Sequence, residues 1–167
     1  MSSQRIKKEF NSEMYFITLS VKRLYYLFDR HNRWQILINS LSYCQKYKDL
    51  KIYNWVFMLN HIHLIVRSQD VSGFLRDFKT FTSKELRENI AESEPNILKL
   101  FVDTKDKYNF WSSTNMPKMI ETVDFYLNKA KYIENNPVRK LYVRNPEDWI
   151  YSSANPEKLL DLCDALN

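Results

Sequence analysis

The chain has 167 residues, enough to bury one sizeable core and too few for two. Apolar residues make up 44%, and a lone glycine beside five prolines excludes collagen-like and flexible-linker architectures. The 25 Lys and Arg against 20 Asp and Glu leave a net charge of +5, which admits nucleic acid as a partner without requiring it.

Met14–Val21 (MYFITLSV) is β-branched and aromatic and predicts a strand. The basic, tyrosine-rich Lys22–Arg30 predicts a loop. Trp34–Tyr47 places Trp34, Ile36, Leu37, Leu41 and Cys44 near helical spacing. Lys51–Met58 and His61–Arg67 predict strands. Only Leu59 and Asn60 part them, which makes them a hairpin. Val71–Asn89 predicts a helix with Ser72 as N-cap, and Ala91–Pro95 interrupts it. Ile97–Val102 and Lys107–Trp111 are ambiguous, and one of them is the candidate for a further strand. Met119–Asn135 predicts a helix with Ile120, Val123, Leu127, Ala130 and Ile133 as its core stripe, and Pro137 ends it at Asn136. Pro156–Leu166 predicts a short terminal helix.

This order predicts an α+β fold, a ferredoxin-like βαββαβ sandwich with an antiparallel sheet. Two helices cover one face and leave the other open for a ligand or a further helix. A C-terminal helix bearing Tyr132, and a tail, follow. Residues 1–167 are expected to form a single domain, with a core over about 14–137 and an extension over about 138–167. Cys44 and Cys163 supply neither a disulfide framework nor zinc spacing, which suits a reduced, intracellular setting. The first ten residues lack an apolar signal core. The longest charge-free stretch, Ile52–Val66, is too short and polar to span a bilayer. A cytoplasmic protein with no membrane partner is expected.

Three groups of residues carry candidate chemistry. His61 and His63 stand two apart on a predicted strand, so both imidazoles face one side while Ile62 faces the core. They suit either a shared metal ion or ordinary hydrogen bonding. Asn128, Tyr132 and Asn136 follow one another at steps of four along the flank of the last helix. Tyr132 is there either presented to a substrate or capping a core edge. Arg76, Lys79, Thr80, Thr82, Ser83, Lys84 and Arg87 form a basic, hydroxyl-rich helix face, suited to phosphates or simply to solvent.

Taken together, these segments resemble a known family. Asn54–Val66 (NWVFMLNHIHLIV) resembles the HUH strand of single-tyrosine transposases, and more closely that of REP-associated tyrosine transposases. Phe74–Lys84 resembles the helix that follows, and Phe110-Trp111 the tryptophan ahead of the last helix. Tyr132–Val138 (YIENNPV) resembles the Y-I-x-x-N-P-V signature, and Asp148–Ala154 the closing W-x-x-S-S segment. The likeness spans residues 14–154 in order. Leu59 stands where the family usually has proline, and Ser112–Lys118 replaces an aromatic, acidic and histidine-bearing stretch.

The resemblance implies a bacterial enzyme that cleaves single-stranded hairpin DNA through a 5′-phosphotyrosine. Tyr132 would be the nucleophile, with Mg²⁺ or Mn²⁺ on His61, His63 and Asn136. Arg76, Lys79, Thr80, Lys84, Asn128 and Arg139 would contact DNA. The enzyme would act as a monomer or homodimer. A non-catalytic module binding single-stranded or hairpin nucleic acid on the same fold is the alternative.

Overall fold

The computed structural model describes residues 6–103, 107–113 and 117–165. In chain order it contains β1 (Tyr15–Ser20), α1 (Arg33–Tyr47), β2 (Lys51–Phe57), β3 (His61–Arg67), α2 (Val71–Ser93), β4 (Lys118–Met119), α3 (Val123–Glu134) and α4 (Asn136–Arg139). The strands form one sheet in the order β2-β3-β1-β4, and every pair is antiparallel. The expected ferredoxin-like α+β arrangement is present.

The pleat sorts side chains to two buried faces. Ile17 and Leu19 of β1, Trp55 and Phe57 of β2, and Ile62, Leu64 and Val66 of β3 face α1 and α2. Burying one such side chain contributes about 1.5–3 kcal/mol. Phe16, Tyr53, Val56 and Ile65 face the other way, where they meet Ile133 of α3. The face left for a ligand or a further helix is therefore taken by the tyrosine-bearing helix. A β-bulge between Ile52 and Asn54 lets Tyr53 and Asn54 share that face.

Several boundaries differ from expectation. Asp70, not Ser72, caps α2: its Oδ1 accepts the Gly73 N–H at 2.8 Å, while the Ser72 N–H donates to Asn11 Oδ1. Helix α2 also continues through Ala91–Ser93. Buried Ile90 extends its apolar stripe, and Glu94 at its end grips Arg30 and fully buried Arg33 at 3.0 and 2.7 Å. Ile97–Val102 is mostly a 3-10 turn, and within Lys107–Trp111 only the isolated bridges Val102–Tyr108 and Val21–Trp111 form. The fourth strand is Lys118–Met119, opposite Phe16 and Tyr15.

Helix α3 starts at Val123, four residues later than expected, because Thr122 Oγ1 caps it by accepting the Phe125 N–H. Its predicted stripe is rotated. Val123 and Leu127 are 57% and 48% exposed, while Ala130 and Ile133 of the predicted stripe do face the sheet, joined by Tyr126 and Tyr132. Aromatic Tyr126 offers an apolar row at the same helical spacing, and its hydroxyl finds a buried partner that Val123 and Leu127 lack. Asn135 breaks the helix, and Pro137 sits inside the single turn of α4.

No helix forms over residues 156–165; residue 166 lies outside the described residues. The tail spends its amides on the exposed edge of β2 instead. Ser152 bridges Val56, the Phe57 N–H donates to Tyr151 O, the Ser153 N–H to Trp55 O, and the Cys163 N–H to Ile52 O. Trp149 Nε1 donates to Phe57 O at 2.8 Å, and Trp34 of α1 packs on Tyr151 and Trp149.

Candidate active site

The alternation of β1 and β3 places Thr18, Ser20, His61 and His63 on the α3 side of the sheet. Thr18 lies opposite His63 and Ser20 opposite His61. Together with Leu24, Tyr132, Asn136, Arg139 and Lys140 they line a cleft of about 400 Å³. The histidine rings are 4.8 Å apart, edge to face, and the His63 ring lies 5.2 Å from that of Tyr132. Phe16 stacks on His63 from beneath at 5.5 Å.

Both imidazoles have a polar neighbour at Nδ1. His61 Nδ1 is 2.7 Å from Asn60 Oδ1, which can only accept, so His61 donates there and keeps its lone pair on Nε2. The Asn60 amide is oriented by donating Nδ2 to Leu24 O. His63 Nδ1 is 2.8 Å from Thr18 Oγ1, and its Nε2 is buried without a hydrogen-bond partner. Burial, aided by Lys140, pulls the His61 pKa down to about 4. Burial, then His61 and Lys129, pulls that of His63 down to about 3. Both rings are therefore neutral at pH 7, the form that binds a metal. A buried nitrogen without a partner, beside a second lone pair and the Asn136 carboxamide, fits a divalent cation. Among the described residues there is no cluster of three or more His, Cys, Asp or Glu side chains that could hold a metal. The Asn136 oxygen would have to complete the set.

Helix α3 is held over the cleft by a polar clamp that sequence reasoning missed. Asn54, brought to this face by the bulge, accepts from Tyr126 OH at 2.9 Å and donates to Glu134 Oε1 at 3.1 Å. Those two residues are eight apart, so one carboxamide pins two turns of the helix on either side of Tyr132. Burial pushes the Glu134 carboxyl up, and the Asn54 hydrogen bond pulls it back. A bulge that flips one asparagine leaves no periodic trace in the sequence. Thr18 and Ser20 were legible as an i, i+2 pair on β1, but nothing in their type singled them out.

The remaining candidates divide. Arg139 lines the cleft with its guanidinium carbon 5.3 Å from the Tyr132 ring centre. Asn128 is exposed on α3 and does not line the cleft. Arg76, Lys79, Thr80 and Lys84 belong to α2, on the opposite face of the sheet. Arg76 pairs with Asp77, Thr80 Oγ1 donates to Arg76 O, and Lys84 is exposed. Lys79 is half-buried, its pKa lowered to about 8 by burial, and its Nζ donates to Ser112 O. With Thr80, Ser83, Tyr108 and Trp111 it lines a second groove of about 380 Å³. The Ser112 N–H donates to Ser20 O, so the two cavities share a wall at the end of β1. Of Ser112–Lys118, residues 114–116 lie outside the described residues.

A family model described as "Transposase IS200 like" matches residues 8–136. A solved structure described as a REP-associated tyrosine transposase bound to a REP hairpin aligns with a TM-score of 0.69 and 20% identity. The alignment covers 92% of this chain and 82% of that one. No curated protein sequence matches the chain.

Proposed function

Since this chain belongs to the IS200-like transposase family, we propose that it cleaves and rejoins single-stranded DNA beside a hairpin, using Tyr132 as nucleophile. His61, His63 and Asn136 would hold Mg²⁺ or Mn²⁺. The observation that carries this reading is the meeting, in one cleft, of the Tyr132 phenol with two neutral imidazoles, one of them with a buried, unpartnered Nε2. The similar fold described as bound to a REP hairpin supports a hairpin as the substrate class. Among the described residues no helix is long and apolar enough to cross a membrane, and the reading puts the protein with DNA in a bacterial cytoplasm.

The Tyr132 oxygen forms a bond to phosphorus as the bond from phosphorus to the 3′ oxygen breaks. The phenolic proton passes to solvent, and the departing 3′ oxygen takes one up as a hydroxyl. The 5′-phosphotyrosine keeps the phosphodiester's energy, so transfer to another 3′-hydroxyl needs no nucleotide cofactor. A divalent ion held by His61, His63 and Asn136 would supply Lewis acidity to the scissile phosphate. Asn60 and Thr18 fix the imidazole rings, and the Asn54 clamp fixes the helix that presents the phenol. Arg139 supplies positive charge where the phosphate enters. Lys79 and Thr80 line a groove suited to the flanking strand.

The test is a hairpin library with a labelled single-stranded flank, incubated with Mn²⁺, Mg²⁺ or EDTA and run on a denaturing protein gel. A metal-dependent labelled band is expected that Tyr132→Phe abolishes while hairpin binding persists. Binding without any adduct would favour the non-catalytic module.

A further inference from the structure

Lys129 sits one turn before Tyr132 on α3, half-buried. Its ammonium lies 4.8 Å from the ring centre of Phe16, 5.3 Å from Phe125 and 5.5 Å from Tyr132. Phe16 is also the ring that stacks on His63 and meets Tyr132 edge-on at 6.0 Å. The cation thus lies among three aromatic rings, of which Tyr132 lines the cleft and Phe16 packs against His63 beneath it. Among the described residues no carboxylate lies within ion-pair distance of it. Burial lowers its pKa, and Lys118, on the edge strand opposite Phe16, adds repulsion. Lys118 on the edge strand and Lys129 on the helix thus both neighbour Phe16, and among the described residues neither has an ion-pair partner.

We propose that Lys129 and Lys118 form a binding position for one backbone phosphate of the DNA strand that lies against Tyr132. The strand would cross the β1–β4 edge there before its scissile phosphate reaches the cleft. The proposal rests on the cleft being the DNA-cleaving site, and it adds a strand path on the α3 face, separate from the α2 groove. The aromatic cage sets the ammonium's height above the sheet, so the contact fixes how far the strand can slide past the phenol.

The experiment measures single-strand binding across a salt series, and adduct formation at saturating DNA, in the full chain. Losing one phosphate contact lowers the slope of log K against log salt by about 0.7 for a single strand. Lys129→Gln is expected to lower the slope by up to that much, and adding Lys118→Gln should take the loss no further than about 0.7, because one phosphate is at stake. Adduct formation in Lys129→Gln should fall about tenfold even at saturation, as expected for a lost charge-assisted contact. Lys129→Arg should restore both. Lys46→Gln removes a lysine that sits 5.1 Å over Tyr47 on the α1 surface, and it should change neither. Thermal midpoints check that each variant is folded. An unchanged slope in folded Lys129→Gln would overturn the proposal, as would a wild type that binds no single strand. A lowered slope with no wild-type adduct would uphold the phosphate position and refute the cleavage reading instead.

Discussion

Asn54→Ala tests what holds the tyrosine helix in place. Ile133 is the one described residue of α3 that is fully buried, so hydrophobic anchoring contributes only about 1.5–3 kcal/mol from that side chain. The Asn54 carboxamide makes two hydrogen bonds to the same helix, each worth about 1 kcal/mol net. Removing it also strands the Tyr126 hydroxyl and the Glu134 carboxylate, both only half-buried and so partly rescued by water. The expected loss is about 2–3 kcal/mol, or about 5–10 °C in midpoint for a chain of this size. In urea the midpoint should move while the slope stays constant. Adduct formation should fall about tenfold or more, since small displacements of a nucleophile are costly. An Asn54→Ala protein within about 0.5 kcal/mol of wild type, with unchanged adduct rate, would refute the clamp as the device that positions α3.

Further predictions follow from other sites. Folded-state values of about 4 and 3 for His61 and His63 lie below the ordinary 6.5. Above about pH 6.5 the pair costs nothing. As pH falls toward 4 the unfolded chain takes up protons that the folded chain cannot, and stability drops by up to ~1.4 kcal/mol per pH unit per histidine. Urea midpoints measured without metal should show this drop, and a flat profile from pH 7 to 4.5 would contradict it. Mn²⁺ at a hundred times its dissociation constant should stabilise the wild type by about 2.7 kcal/mol, and His63→Ala should abolish the effect. Thr82→Val removes the acceptor of buried Trp111 Nε1 and should cost about 1–3 kcal/mol in denaturant titrations. Asp70→Ala, which removes the α2 cap, should cost about 1 kcal/mol by the same measurement.

The parts of the fold legible in the sequence are those with a strong period. Strands β1 to β3 and helix α1 follow directly from alternating or helical rows of apolar residues. The site pair on β3 was legible for the same reason, since a strand's alternation alone aims His61 and His63 together. Tyr132 and Asn136 drew notice first through their step of four on the helix flank and then through the Y-I-x-x-N-P-V likeness, and the fold brings them to the same cleft although a break at Asn135 separates them. The rotation of α3 was not legible. Val123 and Leu127 compete with Tyr126 for the core at the same spacing, and a polar clamp from a distant bulge decides between them. The two-residue β4 carries too little pattern to detect, and the tail's fate depends on a β2 edge that exists only once the sheet has formed. The α2 basic residues Lys79 and Thr80 line a groove apart from the Tyr132 cleft, a separation that sequence order alone does not disclose.

The strap that the tail lays along β2 has a consequence for how the chain is made. Synthesis runs from the N-terminus, so the whole sheet and all four helices emerge before Trp149–Ser153 does. During that interval Trp55 and Phe57 present unsatisfied backbone groups along an apolar strand edge, the kind of surface that recruits other nascent chains. A ribosome that stalls between residues 140 and 150 would release a sheet complete in its helices yet sticky along one side. The closing segment therefore acts late, as the step that turns an aggregation-prone intermediate into a protein able to stay dispersed.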